Sequence, residues 1–138
     1  MEFIPTEIKD VVVVRGKRFP DDRGFFSEMY KEKLFVENGI PAFVQDNMSE
    51  SKKGVIRGLH WQAEPFGQGK LVTCLSGSII DVAVDVRPDS ETYGKHVAVK
   101  LESTEPVSLW VPVGFAHGFQ SLADNTRVFY KVTNFWHT

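Results

Sequence analysis

Residues Gly54 to Gln62 read Gly-Val-Ile-Arg-Gly-Leu-His-Trp-Gln, which sets Arg57 and His60 inside a short, otherwise apolar, strand-like segment. A core strand has no use for either. A guanidinium carried into a sheet costs free energy unless an anion meets it, and histidine titrates close to neutral pH. An arginine for an anion and a histidine for a proton outline a site. A second histidine, His117, stands in the glycine-flanked run Gly114 to Phe119, and Lys70 opens the strand-like run Lys70 to Leu75. A cation there either reaches solvent or stabilises negative charge that develops on a bound molecule. Taken singly, each of these side chains has an ordinary packing role as an alternative, so the elements that carry them decide.

Those elements are mostly strands. Val11 to Val14, Phe25 to Tyr30, Ala42 to Asp46, Val55 to Trp61, Lys70 to Leu75, Ser78 to Val86, His96 to Leu101, Ser108 to Val111, Phe119 to Leu122 and Arg127 to Val132 are short, β-branched or aromatic runs. Gly, Pro, Asn, Asp and Ser separate them, as turns require. One helix is expected, over about Lys31 to Asn38, with Gly39 ending it in the left-handed conformation. Many short strands without alternating helices predict an all-β antiparallel sandwich or barrel, and argue against a parallel α/β sheet. At 138 residues, 42% hydrophobic, the chain is the size of one domain, residues 1–138, with core enough to need no staples.

Composition narrows the function. Sixteen basic and 18 acidic residues leave a formal charge of −2, so nothing marks the surface for nucleic acid or an anionic membrane. Any anion site must be local. The lone Cys74 excludes an intrachain disulfide and fits a reducing compartment; with no signal-peptide pattern and no membrane-length apolar run, a cytoplasmic protein is expected.

Two local geometries follow from alternation. Ser76-Gly77 between two alternating runs reads as a tight hairpin turn, which would pair Val72 with Asp81. Lys70, Val72 and Cys74 would then share a face with Ile79, Asp81, Ala83 and Asp85, a partly polar face suited to a cavity. Arg57 and His60, by contrast, fall on opposite faces of their strand. Either Gly58 marks a bulge or one of the two serves a neighbouring subunit.

The chain resembles the dTDP-4-dehydrorhamnose 3,5-epimerases, a family of cupin-like jelly rolls. The motifs run in order through Asp22-Arg23-Gly24-Phe25-Phe26 with Glu28, Val44-Gln45-Asp46-Asn47, Ser49 to Ser51, the Gly54 to Gln62 run and Lys70-Leu71-Val72. They continue through Gly77, Asp81 to Asp85 with Arg87, Ser90, Tyr93-Gly94-Lys95 and Pro112 to Phe119, and end at Tyr130-Lys131. So many motifs in register are far more specific than any one short pattern. The resemblance implies inversion of C3 and C5 of a 4-keto-6-deoxyhexose carried on thymidine diphosphate. Both carbons are α to the C4 ketone, so each inversion removes a proton, passes through an enolate and returns a proton to the other face. That chemistry needs a base, an acid and a cation for the oxyanion, and no redox cofactor.

By the same resemblance His60 is the base, Tyr130 the proton donor and Lys70 the cation at the enolate oxygen. Arg23 and Arg57 are implied to hold the diphosphate or the nucleoside end, whose oxygens suit the planar guanidinium fork. Glu28, Gln45, Asp46 and Asn47 are implied to meet polar groups of the ligand, Phe26 and Trp136 to pack on it, and His117 to hydrogen-bond it. Trp136 stands where the family usually has a tyrosine. A homodimer with exchanged strands is also implied. No metal is expected, since His60, His96, His117 and His137 are isolated and no His-x-His pair occurs. The family partners its catalytic histidine with an acid from a further C-terminal segment. Residues 131–138 hold no carboxylate, so Asp81 and Asp85 are the substitutes to consider, and a binding homologue with impaired catalysis or a 3-epimerase are the alternatives.

Overall fold

The computed structural model describes all 138 residues and contains twelve strands and one short helix. The strands are β1 (Glu2–Pro5), β2 (Val12–Arg15), β3 (Arg18–Asp21), β4 (Gly24–Ser27), β5 (Gln45–Ser51) and β6 (Ile56–His60). Then come β7 (Lys70–Ser76), β8 (Ser78–Asp85), β9 (His96–Glu102), β10 (Val107–Val111), β11 (Phe115–Ser121) and β12 (Thr126–Val132), with α1 (Glu32–Glu37) between β4 and β5. A six-stranded sheet runs β1-β2-β10-β7-β12-β5 and a four-stranded sheet runs β6-β11-β8-β9, while β3 and β4 form a hairpin of their own. Every pairing is antiparallel, as expected of a cupin-like jelly roll.

The two sheets face each other across one core. Val72 and Cys74 of β7, Val107, Leu109 and Val111 of β10 and Val128 of β12 meet Ile79 and Ala83 of β8, Val97 and Leu101 of β9, and Phe115 and Phe119 of β11. Each such aliphatic side chain contributes about 1.5–3 kcal/mol when fully buried. A second cluster covers the back of the six-stranded sheet, where Phe35 of α1 and Ile40 pack on Val14, Leu71 and Trp110. Gly39, at φ +79°, ends α1 as its position predicts.

Three expectations need correcting. Ser76-Gly77 is not a hairpin turn: both edges of β7 are taken by β10 and β12, and β8 pairs with β9 and β11 in the other sheet. Gly77, at φ +76° and tight against Thr126, is the corner at which the chain crosses between sheets. Period-two alternation survives the error, because Val72 and Cys74 still face Ile79, Asp81 and Ala83, now across the core instead of along a ladder. Second, β1 and β3 escaped notice because each contains a proline, Pro5 and Pro20, which signals against a strand; both lie at a sheet edge or in the isolated hairpin, where a missing N–H is harmless. Third, β11 starts at Phe115 where Phe119 was expected, so His117 of the glycine-flanked run sits in mid-strand.

Strand β5 also differs, running from Gln45 to Ser51 where Ala42 to Asp46 was expected. Its residues are almost all polar, which hides a strand from propensity. They are held because every position pairs with β12, and they alternate: Gln45, Asn47, Ser49 and Ser51 turn inward while Asp46, Met48 and Glu50 are exposed. A polar inward face on a sheet edge is the wall of a cavity.

Candidate active site

The cavity opens where β5, the edge of one sheet, comes near β6, the edge of the other. Arg57 ties the two edges together, its Nε donating to Ser51 Oγ at 2.9 Å and its Nη2 to the Glu50 carbonyl at 3.1 Å. Arg57 faces inward together with His60 because β6 is bulged. His117 is opposite His60 and Phe119 is opposite Arg57, so three steps on β6 match two on β11. That settles the sequence's open choice in favour of the bulge at Gly58. Only glycine fits there: φ is +113°, and a Cβ would lie 2.7 Å from both Gly118 Cα and the His117 carbonyl.

Two adjoining hollows result. The inner one, about 430 Å³, is lined by Ser49, Arg57, His60, Lys70, His117, Phe119 and Tyr130 among others. The outer one, about 330 Å³, is lined by Asn47, Trp61, Gln62, Gln68, Trp136 and His137, and again by His60, Lys70 and Tyr130. The three residues proposed for chemistry therefore form the junction between the hollows. Tyr130 is the cross-strand neighbour of Val72 on one side and of Asn47 on the other, which places it beside Lys70 on the inner face. His60 comes from the opposite sheet.

Burial shapes the charges. Lys70 is only 8% exposed, and desolvation lowers its pKa from the ordinary lysine value while the negative charge of Asp81 opposes the drop. His117 Nε2 donates to Asp81 Oδ1 at 2.6 Å, and both are buried. Asp85 accepts from the Arg87, Ser90 and Thr92 side chains and from the Arg87 N–H, which hold its carboxyl far below the usual range. Both aspartates are thus committed to other partners, and neither is bonded to His60. Burial pushes the Cys74 thiol up to about 11, and its Sγ donates to the Ser76 carbonyl, so it packs as an inert residue. No three His, Cys, Asp or Glu side chains converge in a way that would hold a metal.

The remaining expected residues divide. Gln45 and Asn47 stand at the mouth, where Gln45 Nε2 donates to Asn47 Oδ1 at 2.9 Å and Gln45 Oε1 accepts the Trp136 N–H. Trp136 lies exposed beside them, and His137 stacks on Phe66 at 3.8 Å. Asp46 points away from the cavity and pairs with Lys131 at 3.0 Å. Arg23 and Phe26 belong to the β3–β4 hairpin, outside this cavity; Arg23 is held by Asp21 and Phe26 is exposed. Glu28 is half-exposed, 4.0 Å from Lys31, and also off the cavity wall.

Trp61, Gln62, Gln68, Phe119, His137 and Ser49 line the hollows without having been expected as site residues, and Ser49 is the least visible of them. The Ser49 hydroxyl is buried in the inner wall and has no hydrogen-bond partner. Its only signal is its place in the alternating polar run from Gln45 to Ser51.

Comparison with known proteins completes the picture. The family model described as dTDP-4-dehydrorhamnose 3,5-epimerase matches residues 5–138. The chain belongs to that family. It is 51% identical to the dTDP-4-dehydrorhamnose 3,5-epimerase of Shigella flexneri, over 99% of this chain and 76% of the relative. Among solved structures, the Bacillus anthracis epimerase with TDP and PPi bound superposes with a TM-score of 0.95 at 42% identity, covering 99% of this chain and 79% of that one. The Legionella pneumophila enzyme in complex with dTDP-4-keto-L-rhamnose gives 0.94 at 44%, covering 99% and 73%. The cupin-like fold expected of the family is thus shared.

Proposed function

We propose that this chain is a nucleotide-sugar isomerase that inverts C3 and C5 of a dTDP-linked 4-keto-6-deoxyhexose by proton removal and return through an enolate. The observation that carries the reading is the convergence of His60, Lys70 and Tyr130 at the junction of the two hollows. His60 approaches from the four-stranded sheet and Tyr130 from the six-stranded sheet. A sugar ring between them meets a base on one face and an acid on the other, as inversion requires. Lys70 supplies a cation in a nearly dry setting, where it favours an enolate oxygen over a neutral ketone.

The rest of the cavity suits the nucleotide. Arg57 keeps its Nη1 free of protein partners for a phosphate oxygen, His117 and the unpaired Ser49 hydroxyl offer polar contacts, and Asn47, Gln45, Trp61 and Trp136 frame the mouth for the nucleoside. Arg23, Phe26 and Glu28 act in trans in this reading. The β3–β4 hairpin joins neither sheet of its own chain and exposes Phe19, Phe25 and Phe26, so a second copy that receives it would complete the site as an exchanged homodimer.

Incubation with dTDP-4-keto-6-deoxyglucose in deuterated water is the test. Deuterium is expected at both C3 and C5, and His60→Ala should lower its incorporation by at least ~10³-fold while dTDP still raises the melting temperature. Exchange at neither carbon in the wild type would defeat the reading. Exchange at C3 alone would replace it with single epimerisation.

A further inference from the structure

Asp81 is fully buried, yet only half of its carboxylate is used. Oδ1 accepts the His117 N–H, and Oδ2 is sealed from solvent with no hydrogen-bond donor. An unsatisfied carboxylate oxygen in a core is costly unless a nearby positive charge answers it. Lys70 is the cation that faces it. It projects from the inner face of β7, Asp81 from the inner face of β8, and the strands oppose each other across the core, with the field of Asp81 reaching both Lys70 and Cys74. No carboxylate lies within ion-pair distance of Lys70, so the two are complementary without being in contact.

We propose that Asp81 is a positioning residue of the site: Oδ1 holds His117 in place, and the free Oδ2 supplies the counter-charge that keeps the buried Lys70 ammonium protonated. This rests on the reading of Lys70 as the cation for the enolate. The other titratable or charged groups that face Lys70 are Tyr130 from β12, Arg57 and His60 from β6, His117 from β11 and His137 at the mouth. β5 and β10 present none, and Cys74 lies two positions on along β7. Among these, Asp81 is the sole carboxylate. A direct ion pair would pin the ammonium against its partner; a separated charge stabilises it while leaving its protons for the substrate.

The experiment compares the wild type with Asp81→Asn, whose amide oxygen can still accept the His117 N–H but carries no charge. Lysine labelled with ¹³C at Cε is titrated by NMR, with Lys70 assigned from Lys70→Met. The Lys70 midpoint should fall by about one pH unit or more in Asp81→Asn, a usual size for loss of a nearby opposite charge. An unchanged midpoint would overturn the proposal. His117→Asn serves as the second variant, informative even if Asp81→Asn fails to fold. It leaves the Asp81 charge in place, so the Lys70 midpoint should hold or rise, and a fall there would also overturn the proposal. In activity, the alkaline limb of kcat should move down with the midpoint in Asp81→Asn, and Lys70→Arg in that background should remove the limb because guanidinium stays charged. The titration needs no turnover, so an inactive wild type would defeat the functional reading without touching the electrostatic result.

Discussion

Asp81 and Asp85 lie four residues apart on the same face of β8, and both are completely buried. Their surroundings could hardly differ more. Asp85 is saturated: Arg87, Ser90 and Thr92 surround its two oxygens, Arg87 also reaches Asp10 at 2.9 Å, and its guanidinium lies over the Phe115 ring. Asp81 has one partner, His117, which itself lines the cavity, and a second oxygen with no hydrogen-bond donor. Full satisfaction makes a buried charge a strut, because a ligand has nothing left to bind. Incomplete satisfaction leaves field and hydrogen-bonding capacity for something that arrives later. One strand thus carries a structural end and a working end, separated by two repeats of the pleat.

The contrast is open to breakage. Lys70→Met, at the working end, should cut deuterium exchange by about 10²–10³-fold, the usual cost of losing one donor to a developing oxyanion. Its melting temperature should change little, because relief of the desolvation that lowers the Lys70 pKa is offset by loss of the charge that answers Asp81. A large loss of stability would mean that Lys70 is a strut as well. Asp85→Asn, at the structural end, should lower stability by about 3 kcal/mol in denaturant melts, through weakened bonds to Arg87, with little change in kcat.

Acid titration extends the same contrast. Because the folded pKa of Asp85 is depressed, the unfolded state binds more protons near pH 4, and stability present above that pH is lost as it falls. The wild type should therefore lose stability below about pH 4 more steeply than Asp85→Asn, and equal slopes would remove Asp85 from the account. The smallest effect is expected at Ser49. Ser49→Ala should weaken binding of dTDP or of the dTDP-sugar by no more than about 10-fold, the worth of one neutral hydrogen bond, and leave the melting temperature unchanged since the hydroxyl has no protein partner. Isothermal titration calorimetry would check it.

Much of this was legible beforehand where local rules act alone. The strands of β-branched residues from Lys70 to Asp85, the glycine that ends α1, and the facing set of Lys70, Val72, Asp81 and Ala83 follow from alternation and turn chemistry. The hairpin misreading of Ser76-Gly77 shows the limit. A two-residue break between alternating runs looks the same whether the chain folds back along its own sheet or crosses to the other, and the difference lies in β10 and β12 claiming both edges of β7. Propensity failed on β5 for a related reason, since its polar residues are strand only because β12 pairs with them throughout.

The sequence by itself determined the chemical inventory: a histidine, a lysine and a tyrosine in family order, the arginine beside them, and the glycines that permit close approach. Those depend on residue identity and short-range geometry, which the chain carries wherever it folds. Only the tertiary structure decided which groups share a space. It put Arg57 and His60 on one face through the Gly58 bulge, brought His60 from one sheet opposite Tyr130 and Lys70 from the other, and turned Asp46 outward to Lys131. It also divided two equal aspartates into a saturated strut and an open counter-charge. Whether a buried carboxylate finds enough donors depends on residues far away in the chain, and no spacing along β8 encodes that.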